Sequence, residues 1–307
     1  VKLTAVVPCY YDAQAAPVMH LRLRAVFALL GVDYEIIYVN EASPDGAEEV
    51  LANIAARDSH VKVITHSRNF GTDAAFSTGM MAATGDAVIL LDGDLQDPPE
   101  LIEAFYRKWQ EGYQVVYGER EKREASWYMN AAYHTFYRIY RTLSYPAAPL
   151  NAGDFCLMDR CVVDAMNSLP ESDRCIRDLR TWVGFKQTGV PFVRPARMFG
   201  KSTLNIPCLV AFARKTIINS SNAPLDALTI LGLLMVGLSG LAAVAQVVLK
   251  IINPGTAPRG FTTLVVLILF VGGVQMLCTS VLGWYLARVY KEVRRRPTAI
   301  IKDVTDA

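Results

Sequence analysis

Val88-Ile89-Leu90-Leu91-Asp92-Gly93-Asp94-Leu95-Gln96-Asp97-Pro98-Pro99-Glu100 is the stretch on which the reading of this chain turns. Its first four residues are apolar, as expected of a strand buried on both faces. Two aspartates one residue apart follow, then a turn and Pro98-Pro99, and proline belongs in the first turn of a helix. A buried strand that ends in two like-charged carboxylates is costly unless a cation stands between them. A hard divalent ion, Mg²⁺ or Mn²⁺, would pair them with the phosphate oxygens of a ligand. An Asp-x-Asp triplet alone says little in a chain with 17 aspartates; its place at a strand end gives it weight. The plainer reading is an acidic turn in which Asp97 caps the helix after it.

Working outward, residues 1–205 alternate β-branched runs with helical patterns. Strands are expected at Leu3–Val7, Glu35–Val39, Val61–Thr65, Ala87–Leu91 and Gln114–Tyr117, with helices at Ala15–Leu30, Gly46–Arg57, Asp73–Ala83 and Pro99–Glu111. Ser43-Pro44-Asp45 and Asp97-Pro98-Pro99 carry helix-start chemistry, a capping side chain with proline in the first turn. This alternation predicts an α/β domain with a mostly parallel sheet, whose ligands sit at the carboxyl ends of the strands. Polar or acidic turns gather there: Pro8-Cys9-Tyr10-Tyr11-Asp12, Asn40-Glu41-Ala42-Ser43-Pro44-Asp45, Arg68-Asn69-Phe70-Gly71 and the Asp92–Asp97 turn. No G-x-G-x-x-G follows the first strand and no P-loop lysine is found, so a dinucleotide or ATPase reading lacks its phosphate cradle.

Composition bounds the rest. The chain has 307 residues, 52% hydrophobic and 20% charged, with a formal charge of +2. It is neither disordered nor collagen-like, and the balanced charge gives no general pull toward nucleic acid. The mean hydropathy of +0.23 comes largely from the last third. Ala227–Leu249 and Phe261–Ala287 hold no charge; each run is at least about 34 Å long as a helix, enough to cross a hydrocarbon core. Lys250–Gly260 between them is a Pro/Gly-punctuated turn, so residues 224–292 read as two transmembrane helices joined by a short loop at 250–260. Basic residues flank the pair (Arg214, Lys215, Arg288, Lys291, Arg294, Arg295, Arg296) and few lie in the loop, which predicts an integral membrane protein with both termini and the α/β domain cytoplasmic. Residues 206–223 read equally as an interfacial amphipathic helix or an ordinary packing helix, and 293–307 as a basic cytosolic tail. The six cysteines form no Cys-x-x-Cys pair, which argues against a disulfide framework or zinc site and fits a reducing compartment. The opening residues read as a strand, not a signal peptide.

These motifs together resemble glycosyltransferase family 2 with the GT-A fold, and within it the polyisoprenyl-phosphate glycosyltransferases, a group that includes bactoprenol glucosyltransferases of the GtrB type and dolichyl-phosphate mannose synthases. The resemblance runs through V-P-x-Y, the acidic second-strand turn, R-N-F-G, D-G-D-L-Q-D-P-P-E, G-E-R, N-A-G-D-F-C-L-M-D-R, G-K-S-T and the two-span tail, covering nearly the whole chain. It implies a nucleotide-sugar site at Pro8, Tyr10, Asp12, Asn40, Glu41, Ser43, Arg68 and Asp92, and a metal site at Asp92, Asp94 and Gln96 for Mg²⁺ or Mn²⁺. It further implies an acceptor-phosphate site at Arg120, Arg123, Arg197 and Ser202, and Asp154 as catalytic base beside Asp94. Glu41 and Asn40 stand where the family usually has aspartates, which leaves uracil and guanine both open. A phosphate acceptor is already anionic near neutral pH, so proton abstraction by Asp154 is scarcely required, and Asp154 can equally position the acceptor. Arg174 and Arg177 either offset anionic charge there or, the favoured reading, pair with Glu171 and Asp178.

The implied reaction is inverting transfer of a sugar, glucose first, from a UDP-sugar to polyprenyl phosphate at the cytoplasmic membrane face. The alternatives are GDP-mannose-dependent mannosyl transfer to the same lipid and a non-catalytic nucleotide-sugar-binding scaffold. A processive synthase would need more spans and a Q-x-x-R-W-type motif, and neither is found. A homo-oligomer, dimer or tetramer, is left open by Ser239 and Ala243, a small-x-x-x-small pair.

Overall fold

The computed structural model describes residues 1–120, 152–172, 174–195, 223–252 and 260–306. Two compact units are present, Val1–Cys208 with Arg295–Ala307, and Leu209–Arg294. The expected sites Arg123, Arg197 and Ser202, the 206–222 segment and most of the 250–260 loop lie outside the described residues.

In the first unit the strands are β1 (Lys2–Cys9), β2 (Asp33–Asn40), β3 (Val61–His66), β4 (Ala87–Leu90), β5 (Val115–Arg120), β6 (Ala152–Asp159), β7 (Gln187–Phe192) and β8 (Ile301–Asp306). The helices are α1 (Ala16–Leu30), α2 (Ala47–Ala55), α3 (Thr72–Ala82), α4 (Ile102–Gln110), α5 (Arg160–Asn167) and α6 (Ile176–Trp182), with a 3₁₀ turn at Pro99–Leu101 before α4. One eight-stranded sheet has the order β7-β5-β6-β4-β1-β2-β3-β8. Its centre is parallel, β4-β1-β2-β3, while β6 runs antiparallel to both β4 and β5 and β8 antiparallel to β3.

β1 is buried on both faces because its side chains alternate into two cores. Leu3, Ala5 and Val7 pack with Met19, Leu23 and Phe27 of α1, Leu51 of α2 and Phe105 of α4. Val6 joins Phe76 and Met80 of α3, Val162 and Met166 of α5 and Leu179 of α6 on the other face. α1 starts with proline in its first turn and ends at Gly31 (φ 64°), whose N–H reaches the carbonyls of Phe27 and Ala28.

All five expected strands and four expected helices form, within a few residues of their expected ends. The expectation for 293–307 needs correction. Ile301–Asp306 is not a free tail but the edge strand β8, paired from Lys62↔Asp306 to His66↔Ile301. Its backbone pairing covers what would otherwise be the open edge of β3. Asp97 is also not a helix cap: its carboxylate turns inward and accepts the N–H of Asp92 at 3.3 Å.

The second unit contains α7 (Ala223–Ile252) and α8 (Phe261–Val293), which touch each other. Within α8, Phe270–Val293 is long and apolar enough to cross a membrane. Leu277, Leu282 and Leu286 are exposed on it, as are Leu233, Leu238 and Leu241 on α7.

Candidate active site

The loops after β1 and β2 are stapled to each other. The Tyr11 N–H donates to Ser43 Oγ at 2.7 Å, the Ser43 hydroxyl donates to Asp45 Oδ1 at 2.6 Å, and Asp45 Oδ2 accepts from Ala13 N at 2.9 Å. Asn40 is fully buried and its Oδ1 accepts the Ser43 N–H at 3.1 Å. The Asp12 carboxylate accepts from Tyr10 N at 3.3 Å, and its carbonyl receives the first N–H groups of α1. This leaves Tyr10 and Tyr11 exposed, their rings edge to face at 4.7 Å. Tyr11 (φ 61°), Ala42 (φ 52°) and Leu95 (φ 62°) all adopt the left-handed region. Such residues cost about 1–3 kcal/mol each and concentrate at functional rims. Three of the four non-glycine cases among the described residues lie in the loops after β1, β2 and β4.

Glu41 lies just beneath this rim, 2% exposed. Burial pushes its acid up to about 7, helped by the Asp12 and Asp73 charges and opposed by a hydrogen bond from the Gly71 N–H. Arg68 lies over the Phe70 ring at 4.0 Å and donates to the Asn69 carbonyl at 3.0 Å.

The β4 turn packs hard against the β1 loop. A Cβ on Gly93 would stand 2.5 Å from the Pro8 carbonyl oxygen and 3.3 Å from Asp12 Oδ2, so the residue between the two aspartates must be glycine. Asp94 Oδ1 accepts the Gln96 N–H at 3.0 Å, and the Gln96 amide donates to the Pro195 carbonyl at 3.2 Å. Arg194, just beyond β7, reaches Asp92 Oδ2 at 3.3 Å and Asp97 Oδ1 at 3.8 Å. Burial and then the charges of Asp97, Asp154 and Asp94 push the Asp92 acid well up, against the pull of Arg194. Asp97 is also raised, burial outweighing the attraction of Arg194 and Arg120.

β6 brings the second half of the site. The pairing Leu90↔Cys156 between β4 and β6, carried two residues on, leads Asp92 toward Asp154. Arg177 of α6 donates to Asp154 Oδ2 at 2.8 Å, and Arg180 donates to the Gly153 carbonyl at 3.2 Å. Burial alone would raise the Asp154 acid, but Arg177, Arg180 and Arg120 together hold it below the usual carboxylate range. Arg177, expected beside Asp178, pairs with Asp154. Arg174 instead donates to the Met166 carbonyl at 2.6 Å and is attracted by Glu171.

The structure thus brings Pro8, Asp12, Asn40, Glu41 and Ser43 together at one rim, and Asp92, Asp94, Gln96, Arg120 and Asp154 at the neighbouring strand ends. Sequence reasoning passed over Arg180 and Arg194. Neither sits in a motif; only their spacing after the Gly153-Asp154-Phe155 run and after a short strand pointed to them.

The glycosyl transferase family 2 profile matches residues 4–166. An uncharacterized glycosyltransferase of Synechocystis sp. is 39% identical over 99% of this chain and 96% of its own length. A prophage bactoprenol glucosyl transferase homolog of Escherichia coli is 35% identical over 99% of each chain. Among solved structures, mannosyl-3-phosphoglycerate synthase from Rubrobacter xylanophilus superposes with a TM-score of 0.50 at 17% identity, covering 71% of this chain and 73% of that one, a likeness of fold alone. The sheet, its carboxylate-bearing rim and these similarities agree: the chain is a glycosyltransferase and belongs to glycosyl transferase family 2.

Proposed function

We propose that the protein transfers a sugar, glucose first among candidates, from a UDP-sugar to polyprenyl phosphate at the cytoplasmic face of a membrane, with inversion at the anomeric carbon. The observation that carries this reading is the meeting of an acidic turn and an arginine-rich strand end, Asp92-Gly93-Asp94 beside Gly153-Asp154, on one edge of the sheet. The first suits a cation with a diphosphate, the second a phosphate monoester. The full-length similarity to a protein named a bactoprenol glucosyl transferase homolog supports the lipid acceptor.

The turn fits Mg²⁺ or Mn²⁺. Its donors are hard carboxylate oxygens, and its negative surplus raises Asp92. Buried Asp97 Oδ1 has no hydrogen-bond partner among the described residues, and the guanidinium of Arg194 stands 3.8 Å away. Among the described residues no three His, Cys, Asp or Glu side chains are grouped to hold a metal ion; Mg²⁺ is commonly held by one or two carboxylates plus substrate phosphates. Asp92 and Asp94 would hold the ion, and once bound it offsets charge on the departing nucleotide. The chain's own residues do the rest. The stapled β1 and β2 loops hold the nucleoside, Tyr10 and Tyr11 offer it aromatic faces, and Arg194 balances the aspartates. Because the acceptor phosphate arrives ionised, no strong base is needed, consistent with an Asp154 that is itself ion-paired. The apolar runs of α7 and α8 are assigned to the bilayer as a two-span hairpin, which keeps the enzyme at the surface where a lipid substrate is concentrated.

Asp94→Asn tests the reading. The amide keeps an Oδ1 to accept the Gln96 N–H, so the turn is retained while the charge is lost. We expect transfer to fall by about 10³-fold or more, as for loss of a group stabilising charge in the transition state, with the melting temperature unchanged. Activity with added metal equal to that of the parent overturns the assignment. A panel of UDP-glucose, UDP-galactose and GDP-mannose, with radiolabel counted in the lipid phase, identifies the donor.

A further inference from the structure

His66, the last residue of β3, is a fully buried histidine at the point where the strand leaves the core for the Arg68 loop. Its Nε2 stands 2.9 Å from Thr78 Oγ1, and the Thr78 hydroxyl donates its one proton to the Ala74 carbonyl at 3.0 Å, one turn back in α3. The threonine oxygen therefore accepts the Nε2 proton, which leaves Nδ1 bare; Nδ1 has no hydrogen-bond partner among the described residues. Burial holds the imidazole below the ordinary histidine range, so it is neutral near pH 7. A buried polar ring with one nitrogen unmet is costly, and an apolar side chain would fill the place without that cost. What the histidine adds is a ring whose rotation is fixed by the bond to Thr78.

That ring meets Phe70 edge to face, 5.8 Å between centres, and the Arg68 guanidinium lies 4.0 Å over the Phe70 ring. Arg68 is exposed, and holding so long a side chain in one place costs rotamer entropy. The loop backbone is fixed on either side of it: the Ile300 carbonyl accepts the Ser67 N–H at 2.9 Å, and Asn69 Oδ1 accepts the Gly71 N–H at 2.8 Å. A continuous stack thus runs from α3 through Thr78, His66 and Phe70 to Arg68 at the rim. We infer that His66 is a positioning residue: locked by Thr78, it holds the Phe70 ring as a platform that keeps the Arg68 guanidinium in place for the diphosphate of the donor. The inference rests on the nucleotide-sugar donor proposed above. A guanidinium meets two phosphate oxygens through a planar fork, and stacking on an aromatic face sets the plane of that fork. The histidine itself touches no substrate; it acts through Phe70 and Arg68.

The test uses the full-length protein in detergent, with His66→Leu, His66→Phe and Phe70→Leu, each alone and combined with Arg68→Gln. We expect His66→Leu and Phe70→Leu to raise the KM for the UDP-sugar and the Kd for UDP by about three- to fivefold, the size of an exposed cation–π contact, with kcat and the KM for polyprenyl phosphate held within about 1.5-fold. His66→Phe keeps a ring against Phe70 but not the bond to Thr78, and should recover part of the loss. Once Arg68→Gln has removed the group they act through, the same changes should add less than about 1.5-fold. Phe70 is less buried than His66, so Phe70→Leu carries the test if His66→Leu does not fold. A merely structural histidine would lower the melting temperature and leave donor affinity alone, or weaken the donor equally with and without Arg68; either result overturns the inference. UDP binding unchanged in Arg68→Gln itself also overturns it, and takes Arg68 out of the donor site. UDP is titrated without acceptor. A parent protein that shows these UDP effects but transfers no sugar to polyprenyl phosphate therefore keeps the role of His66 and loses the reaction reading.

Discussion

Glu41 shows how much a single side chain at this rim can do to the whole molecule. Its acid is held near 7 against an ordinary 4.5, because it is buried beside Asp12 and Asp73. The folded state therefore holds its proton more tightly than the unfolded chain. Stability from this residue is fully present below about pH 4.5 and is lost as pH rises through about 7, by up to about 3 kcal/mol. Glu41→Gln, neutral at every pH, should flatten the fall in melting temperature between about pH 5 and pH 8. An unchanged pH profile in the variant would show that the carboxyl is ionised throughout. Residues of this kind are half legible in a sequence. Asp92, Asp94 and Asp154 stand out because charges at the end of apolar runs demand an explanation. Arg180 and Arg194 do not, since what matters is their burial and the carboxylates or carbonyls they meet across the sheet. Asp97 was misread because a capping role and an inward ion pair look alike in sequence; the fold decides by placing Arg194 beside it.

At the scale of elements, the central strands were legible because each is a β-branched run bounded by turn residues. β6 was hidden by Gly153 and Asp154, β7 by Gly189 and Pro191 in a six-residue run, and β8 by its distance from the rest of the domain. β8 also carries the sharpest expectation at this scale. It supplies the hydrogen bonds along β3, and the Ile300 carbonyl accepts the Ser67 N–H at 2.9 Å, immediately before the Arg68 loop. Deleting residues 297–307 should expose the β3 edge, cost about 3–5 kcal/mol of stability from lost backbone pairing, and promote association. It should also raise the donor KM by loosening Arg68. Lys302→Ala removes only an exposed ion pair with Glu48 at 3.0 Å and should leave melting unchanged within about 0.5 kcal/mol. If the deletion behaves like Lys302→Ala, β8 does not hold the edge.

For the whole molecule, the open physical question is whether α7 and α8 cross the bilayer as a hairpin or stay on one side of it; β8 pairs with β3, so the number of crossings is even. α7 has no charge from Ala227 to Leu249, and Phe270–Val293 of α8 has the length and apolarity of a span. With two crossings, the 250–260 segment and the α/β domain face opposite sides; with none, they face the same side. Thiol labelling can read the difference because the domain's own cysteines are poor nucleophiles. Cys9 and Cys156 are buried. Burial, with help from Asp159, pushes Cys161 up to about 11, and burial, helped by Asp178, pushes Cys175 up to about 12. Since the thiolate is the reacting form, all four label slowly at neutral pH. In a Cys208→Ser background, Glu111→Cys places an ordinary thiol at the exposed end of α4, and Ala257→Cys places one in the sequence between the two apolar runs. A membrane-impermeant maleimide should modify Glu111→Cys only in inside-out vesicles and Ala257→Cys only in right-side-out vesicles. Modification of both from the cytoplasmic side alone would mean that neither α7 nor α8 crosses the bilayer. The hairpin argument from basic flanks would then fail, because no translocated loop would remain for the positive-inside bias to act on.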